Sequence, residues 1–214
     1  INQSQVNSEI GYTFASGLRS ILRQDPDIVM LGEIRDKETA EMAVHAALTG
    51  HVVLSTLHTN DAAGAAPRLI DMGVEPFLLI SSINVVIGQR LVRKICEECK
   101  TEVKLPDEEI ELIKTEIAEM PQKEREETEK RELKFFKGTG CKICNNTGYK
   151  SRIGIYEVLN INESVQDLIL KRSSSAEMNR KAIENGMVTM IQDGIIKALN
   201  GTITMEEVWR ATKD

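Results

Sequence analysis

The spacing of apolar residues in the first part of the chain predicts alternating helices and strands. Two continuous apolar runs are typical of strands buried on both faces, and the segments around them carry helical periodicity. The predicted elements are, in chain order, a helix over 16–24, a strand over 27–31, a helix over 37–48 closed by Gly50, a strand over 51–55 and a helix from 61 to about 73. This order predicts an α/β fold with a parallel sheet and right-handed crossovers.

The last fifty residues predict helices only. Four helical segments follow Val165, and Gly186 and Gly201 end two of them. Thr204 followed by Glu207 is typical of a capping box at the start of the last helix, and Trp209 is interpreted as a packing residue. We therefore expect a small all-helical C-terminal module over 151–214.

Composition narrows the class of protein. The chain has 27 Lys and Arg residues against 33 Asp and Glu, a net charge of −6, which argues against a dedicated nucleic-acid binder. The best apolar run, over 77–88, is far shorter than the roughly 20 residues that a membrane-spanning helix needs. There is no secretory N-terminus, so we expect a soluble cytoplasmic protein. Because the chain begins at Ile1 rather than Met, we expect it to be the C-terminal piece of a longer protein.

Four cysteines form two C-x-x-C pairs, which predict a structural Zn²⁺ site. Each pair can place two thiolates on one turn, and zinc prefers four such sulfurs in a tetrahedron. The alternatives are two disulfides or four free thiols that bind no metal, and a reducing cytoplasm disfavours disulfides. The predicted ligands are Cys96, Cys99, Cys141 and Cys144.

The segment between the two cysteine pairs is unusually charged. Residues 100–140 contain 12 acidic and 9 basic residues. Ile110, Ile113 and Ile117 share one face of a helix that Pro121 should end, and charges of opposite sign follow at helical spacing. We interpret this segment as a solvated helical insertion without chemistry of its own.

Polar residues gather where the two predicted strands end. In an open parallel sheet ligands bind at this edge, and an acid there occupies the place of a Walker B carboxylate. Glu33 is therefore a candidate catalytic residue, and Asp36 is interpreted as a helix N-cap. His51 and His58 flank the second strand, and polar groups there need a partner or a ligand.

Long motifs resemble the secretion ATPases of type II secretion and type IV pilus assembly, the GspE/PilB family. DPDIVMLGEIRD resembles the family's unusual Walker B segment, and TGHVVLSTLHTND resembles its histidine box. The similarity continues through QRLVR, both cysteine pairs, RIGIYE and the C-terminal DGIIKALNGTITMEEVWRAT. It covers nearly the whole chain except the charged segment.

The resemblance implies the C-terminal half of a RecA-like P-loop NTPase core, followed by a tetracysteine zinc element and the helical module. The expected boundaries are 1–95 for the core, 96–150 for the zinc element and 151–214 for the module. Glu33 matches the carboxylate that activates the attacking water, and His58 matches the histidine that contacts the γ-phosphate. The residues matching nucleotide-binding or positioning roles are Gly32, Arg35, His51, Thr56, Gln5 and Asn7.

The resemblance also implies partners and a location. A homo-hexamer would bind MgATP, work at the inner face of the cytoplasmic membrane, contact an inner-membrane platform protein and bind no DNA directly. No G-x-x-x-x-G-K-[ST] phosphate-binding loop occurs in the sequence. We therefore expect the isolated chain to hydrolyse ATP negligibly, although the resemblance implies that it is part of an ATPase.

An interaction module of a different class is the alternative. The segment 141–148 is similar in outline to zinc modules of chaperones. A local basic fringe lies nearby in sequence, formed by Arg93, Lys94, Lys142, Lys150 and Arg152. Under this alternative, a zinc ribbon binds a protein or nucleic acid on a degenerate nucleotide-binding scaffold.

Overall fold

A computed structural model describes residues 2–213, and the chain divides into two compact units. The first comprises Ile1–Val86 and Asn160–Met178, and the second comprises Ile87–Leu159 and Asn179–Asp214. The helices are α1 Phe14–Leu22, α2 Lys37–Leu48, α3 Ala65–Asp71, α4 Pro76–Ser82, α5 Asp107–Ala118, α6 Gln122–Glu129, α7 Glu163–Leu170, α8 Ser175–Glu184, α9 Met190–Leu199 and α10 Met205–Thr212. The strands are β1 Ile28–Met30, β2 Val52–Leu54, β3 Val85–Ile95, β4 Lys100–Val103, β5 Phe135–Gly138 and β6 Tyr149–Asn160.

The first unit is built on a parallel pair of strands, as the sequence predicts. β1 and β2 pair in register, with Ile28 opposite Val52 and Met30 opposite Leu54. The prediction that both strands are buried on both faces is wrong for this chain. Ile28 and Met30 are 63% and 73% exposed, because among residues 2–213 only helices on the other face cover the pair.

Helices α1 and α2 form that cover. Leu18 of α1 packs with Val29, Leu31 and Ala43 in one apolar cluster. The N-cap of α2 is Asp36, as predicted, since its carboxylate accepts hydrogen bonds from the backbone N–H of Thr39 at 2.8 Å and from its hydroxyl at 3.1 Å. The helix ends where Gly50 adopts φ +99°, a left-handed conformation that glycine takes without a Cβ clash.

Two further β-sheets organise the second unit. β3 pairs with β6 in one sheet, and β4 pairs antiparallel with β5 in the other. Helices α9 and α10 pack with these strands around one core, whose fully buried members include Val92, Ile155, Ile195 and Val208.

The charged segment between the cysteine pairs is part of this core. Ile113 and Ile117 of α5 are 0% and 5% exposed and pack in the same cluster as Ile195. The predicted helical face is confirmed, but the interpretation as a solvated insertion is wrong. Three apolar positions at helical spacing suffice to bury one side of an otherwise charged helix.

The long strands β3 and β6 were not predicted. Residues 151–160, assigned to the helical module, continue strand β6. Glycines close two of the following helices as expected, with φ +94° at Gly186 and +67° at Gly201. The division into 1–95, 96–150 and 151–214 remains a prediction. None of the helices within residues 2–213 is long and apolar enough to cross a membrane.

Candidate functional site

The candidate site lies where β1 and β2 end. Parallel strands place their carboxyl ends at one edge of the sheet, so the loops that follow them meet there. The backbone continues the pairing beyond the strands, since the N–H of Leu31 donates to the carbonyl of Leu54 at 2.8 Å and that of Ile34 donates to Thr56 at 2.9 Å. The two loops are therefore held side by side.

Glu33 and His58 meet across these loops. The Nε2 atom of His58 lies 2.9 Å from Oε2 of Glu33, and Nη2 of Arg35 lies 2.6 Å from Oε1. The Glu33 side chain is 19% exposed, whereas that of His58 is 83% exposed and open to a ligand. The hydrogen bond from Arg35 is the main cause that holds the pKa of Glu33 below 4.5. Glu33 is thus an ionised carboxylate at neutral pH.

Gly32 and Thr56 fix the path of the loops beneath that carboxylate. The hydroxyl of Thr56 donates to the carbonyl of Gly32 at 2.7 Å. A Cβ at position 32 would lie 3.2 Å from the ring of Phe14, tighter than an ordinary van der Waals contact. The close approach of the Phe14 ring, at the start of α1, therefore explains why this position is occupied by glycine.

His51 lies at the other end of β2. Its Nδ1 is 3.0 Å from the carbonyl of Ala46 and 3.1 Å from the hydroxyl of Thr49, both at the C-terminus of α2. The structure therefore brings His58 to Glu33 but places His51 among helix-end groups. Position along the strand did not separate the two histidines, because both flank the same short strand, whereas the family resemblance assigned the phosphate contact to His58 and a positioning role to His51.

The two candidate residues near the N-terminus have local contacts. The side-chain carbonyl of Asn7 accepts a hydrogen bond from the N–H of Glu9 at 3.0 Å, and its backbone pairs with Tyr12. Gln5 is exposed. Their predicted nucleotide-positioning roles remain predictions.

The four cysteines form a second candidate site. Their Sγ atoms all lie within 4.8 Å of one another, and three of the pairs are 3.7–3.9 Å apart. A tetrahedral Zn²⁺ with sulfur ligands at 2.3 Å requires sulfur–sulfur separations of roughly 3.8 Å. No disulfide joins these cysteines. The cluster therefore fits a zinc ion.

Backbone amides and glycines build the cysteine cluster. The N–H groups of Cys141 and Gly148 donate to Sγ of Cys144 at 3.2 and 3.3 Å. Burial raises the pKa of Cys144, but these two bonds and its neighbouring thiols lower it to about 6. Burial raises the pKa of Cys99 to about 11. A Cβ on Gly138 would lie 2.6 Å from the carbonyl carbon of Gly148, so only glycine allows this backbone approach.

One cluster of charged residues was missed from the sequence. The carboxylate of Glu207 is completely buried and bonds to Arg93 at 2.6 Å and Arg210 at 2.8 Å. Its backbone N–H donates to the hydroxyl of Thr204, which confirms the N-cap. The i, i+3 spacing of Glu207 and Arg210 was the available signal, but nothing in the sequence pointed to Arg93.

Comparisons with known proteins agree with the geometry. The family model for the Type II/IV secretion system protein matches residues 1–210. The chain is 48% identical over 212 residues to the type IV pilus assembly ATPase PilB of Thermus thermophilus, covering 99% of this chain and 23% of that protein. It is 48% identical over 214 residues to the type II secretion system protein E of Pseudomonas aeruginosa, covering all of this chain and 40% of that protein. The chain thus spans less than half the length of these relatives.

Solved structures show the same fold. The pilus retraction motor PilT with bound ADP is 27% identical with a TM-score of 0.61, over 94% of this chain and 44% of that one. The ATPase DotB of Legionella pneumophila has a TM-score of 0.60 at 24% identity, over 96% of this chain and 44% of that one, and supports the fold alone. The α/β fold is therefore that of the RecA-like secretion ATPases. By its sequence over nearly its whole length, the chain belongs to the type II/IV secretion system protein family.

Proposed function

We propose that this chain supplies the hydrolytic half of an ATPase motor that drives type II protein secretion or type IV pilus assembly. The observation that carries the proposal is the contact between Glu33 and His58 at the carboxyl edge of a parallel strand pair. The relatives named above, a pilus assembly ATPase and a secretion system protein, support this assignment.

Glu33 acts as the general base in this proposal. The oxygen of a water molecule attacks the γ-phosphorus of ATP while the bond from that phosphorus to the bridging oxygen of ADP breaks. The water's proton passes to the Glu33 carboxylate, which the hydrogen bond from Arg35 keeps ionised, and is returned to the products or to solvent. Arg35 is a positioning residue, since it acts by holding the carboxylate.

His58 senses the terminal phosphate. Its imidazole is mostly exposed, and one of its ring nitrogens contacts the Glu33 carboxylate. The imidazole can therefore exchange that partner for a phosphate oxygen. Loss of the γ-phosphate would return it to the carboxylate. Thr56 and Gly32 contribute by holding the two loops together.

ATP is proposed to bind with Mg²⁺, which would neutralise phosphate charge when bound. Gly32 stands where a usual Walker B strand carries an aspartate, so this chain offers no direct carboxylate ligand at that position. Since the sequence lacks a P-loop, the isolated chain should bind ATP weakly and hydrolyse it negligibly.

The remaining parts of the proposal concern assembly. A homo-hexamer would form the working motor at the cytoplasmic face of the inner membrane, against a platform protein. The cysteine cluster would hold a structural Zn²⁺. Exchange of all four cysteines for serine in the full-length motor should abolish export or piliation while its basal ATP hydrolysis persists, and an unchanged phenotype would contradict this role.

The test of hydrolysis is a chimera in which this chain replaces the matching segment of the Pseudomonas aeruginosa relative. Glu33→Gln should lower its ATP turnover at least a hundredfold, roughly the contribution of a general base. Glu38→Gln is the matched control, because Glu38 is an exposed carboxylate of the same unit paired with Arg19 at 3.1 Å. Equal turnover in the two variants would refute the role of Glu33, as would turnover by the isolated chain that Glu33→Gln leaves intact.

A further inference from the structure

The charged segment between the cysteine pairs borders a small cleft in the second unit. The cleft has a volume of about 230 Å³ and is lined by residues of α5, of α6 and of the chain that follows α6. Its lining combines two cations, one carboxylate, one hydroxyl and two apolar side chains, which belong to Lys114, Ile117, Thr128, Glu129, Arg131 and Leu133. Pockets for drug-sized ligands typically have about 300–1,000 Å³, so this cleft suits a smaller molecule.

The hydroxyl of Thr128 is an unused polar group of this cleft. Thr128 is 2% exposed, and within residues 2–213 its hydroxyl makes no hydrogen bond. A helical threonine commonly donates to the carbonyl four residues earlier, as Thr115 does to Glu111 at 3.0 Å. Since no fully buried side-chain oxygen of the described residues lacks a partner, the Thr128 hydroxyl must reach the open space of the cleft. It therefore marks where a polar atom of a ligand would lie.

Two side chains of opposite charge border the cleft without pairing with each other. Glu129 makes no ion pair in the part of the chain that the structure describes. Arg131 donates to the neutral side chain of Asn200 at 2.7 Å, which orients the guanidinium and leaves four of its five N–H groups for a ligand. Lys114, by contrast, is already paired with Glu111 at 2.7 Å. The cleft thus offers a ligand one unpaired cation and one unpaired carboxylate.

We propose that this cleft binds a free α-amino acid with an apolar side chain. The carboxylate of such a molecule would accept hydrogen bonds from Arg131 and from the Thr128 hydroxyl, and its ammonium group would donate to Glu129. Its side chain would lie against Ile117, which is 5% exposed, and Leu133, which packs against the same core. Both charges, the hydroxyl and the apolar wall of the cleft are then used.

Ligands with a single charge fit the cleft less well. An anion would pair with Arg131 but would be repelled by Glu129, and a cation would be repelled by Lys114 and Arg131. A purely structural role would pair Glu129 with a neighbouring cation and bond Thr128 within its own helix, and neither contact is present among residues 2–213. The cleft belongs to the second unit, so the inference is independent of the ATPase chemistry proposed for the first.

The test measures L-leucine binding to the 214-residue chain by saturation-transfer NMR at constant ionic strength. We expect saturable binding that Thr128→Val weakens roughly fivefold, as the loss of one hydrogen bond predicts. This variant should melt at the same temperature as the unchanged chain or higher, because it removes a hydroxyl that no protein group bonds. Thr115→Val is the matched control, since Thr115 is exposed, lies outside the cleft lining and bonds within α5. It should bind L-leucine like the unchanged chain.

Charge variants and an analogue separate the two ends of the ligand. Arg131→Gln should weaken the binding of L-leucine and of 4-methylpentanoate, which lacks the ammonium group, roughly tenfold. Glu129→Gln should weaken L-leucine binding by a similar factor but should not weaken the binding of 4-methylpentanoate. The inference is overturned if L-leucine shows no saturable binding, or if Thr128→Val and Thr115→Val bind it equally well. It is also overturned if Arg131→Gln weakens neither compound, or if Glu129→Gln weakens both alike.

Discussion

Glu207→Gln should lower the free energy of unfolding of the chain. The size of this loss should depend on pH, because it comes from the ionised form of a buried carboxylate. Burial raises the pKa of the Glu207 carboxyl, but hydrogen bonds from Arg210 and Arg93 outweigh this effect and lower it from 4.5 to about 2. At about 1.36 kcal/mol per pKa unit, this shift corresponds to roughly 3 kcal/mol. Removing one partner of a buried ion pair typically costs about 3–5 kcal/mol, which agrees.

The sign of the pH dependence follows from the lowered pKa of Glu207. A carboxyl whose pKa is lower in the folded state contributes its full stabilisation above its unfolded pKa, here 4.5. That contribution is lost as the pH falls from there through about 2. By linkage, about 2 of the roughly 3 kcal/mol should already be absent at pH 3.

The assay is urea unfolding at several pH values from 7 to 3, with Trp209 as a probe in the second unit. The free energy of unfolding should be roughly 3 kcal/mol lower for Glu207→Gln at pH 7, and this difference should shrink to about 1 kcal/mol at pH 3. Subtracting the two proteins at each pH removes the contribution of the other acidic residues.

Glu111→Gln is the control for this series. Glu111 pairs with Lys114 at 2.7 Å, but both side chains are more than half exposed, so the change should cost less than about 1 kcal/mol. A difference between the unchanged chain and Glu207→Gln that stays constant down to pH 3 would refute the reasoning. A loss as large in Glu111→Gln would refute it too.

Three further predictions concern local structure. Asp36→Ala should lower the free energy of unfolding by about 1 kcal/mol in the same urea assay, because it removes the N-cap of α2. Asp36→Asn should keep most of the stability, because asparagine is also a good N-cap. Gly138→Ala should abolish stoichiometric zinc binding, since its Cβ would overlap the backbone of Gly148, and unchanged binding by atomic absorption would contradict this packing. Removing zinc with a chelator should lower the melting temperature followed by Trp209 fluorescence, and an identical melting temperature would exclude a structural metal.

Local sequence patterns predicted the parts of the fold that depend on local interactions. Helix α2 begins and ends where Asp36 and Gly50 indicate, because capping is decided within a few residues. The meeting of Glu33 and His58 followed from a general property of parallel sheets. The cysteine cluster followed from ligand spacing together with an expected reducing compartment that disfavours disulfides.

Long-range packing determined what the sequence did not reveal. Helix α5 is mostly charged, and only the three-dimensional fold shows that Ile113 enters a core shared with α9. Glu207 looked like a capping residue because its partner Arg93 lies 114 positions away in the chain. The local pattern alone did not separate His51 from His58, since the two histidines flank opposite ends of one strand of three residues.

The most direct test of the central claim is the chemical state of the nucleotide bound to the chimera described above. The chimera is incubated with radiolabelled ATP and Mg²⁺, separated from free nucleotide and analysed for ATP and ADP. If Glu33 is the general base, the unchanged chimera holds ADP, whereas Glu33→Gln binds nucleotide equally well and holds ATP. ADP in both proteins would show that another group performs the hydrolysis. Unhydrolysed ATP in both would mean that this core is a scaffold, as the alternative of an interaction module requires.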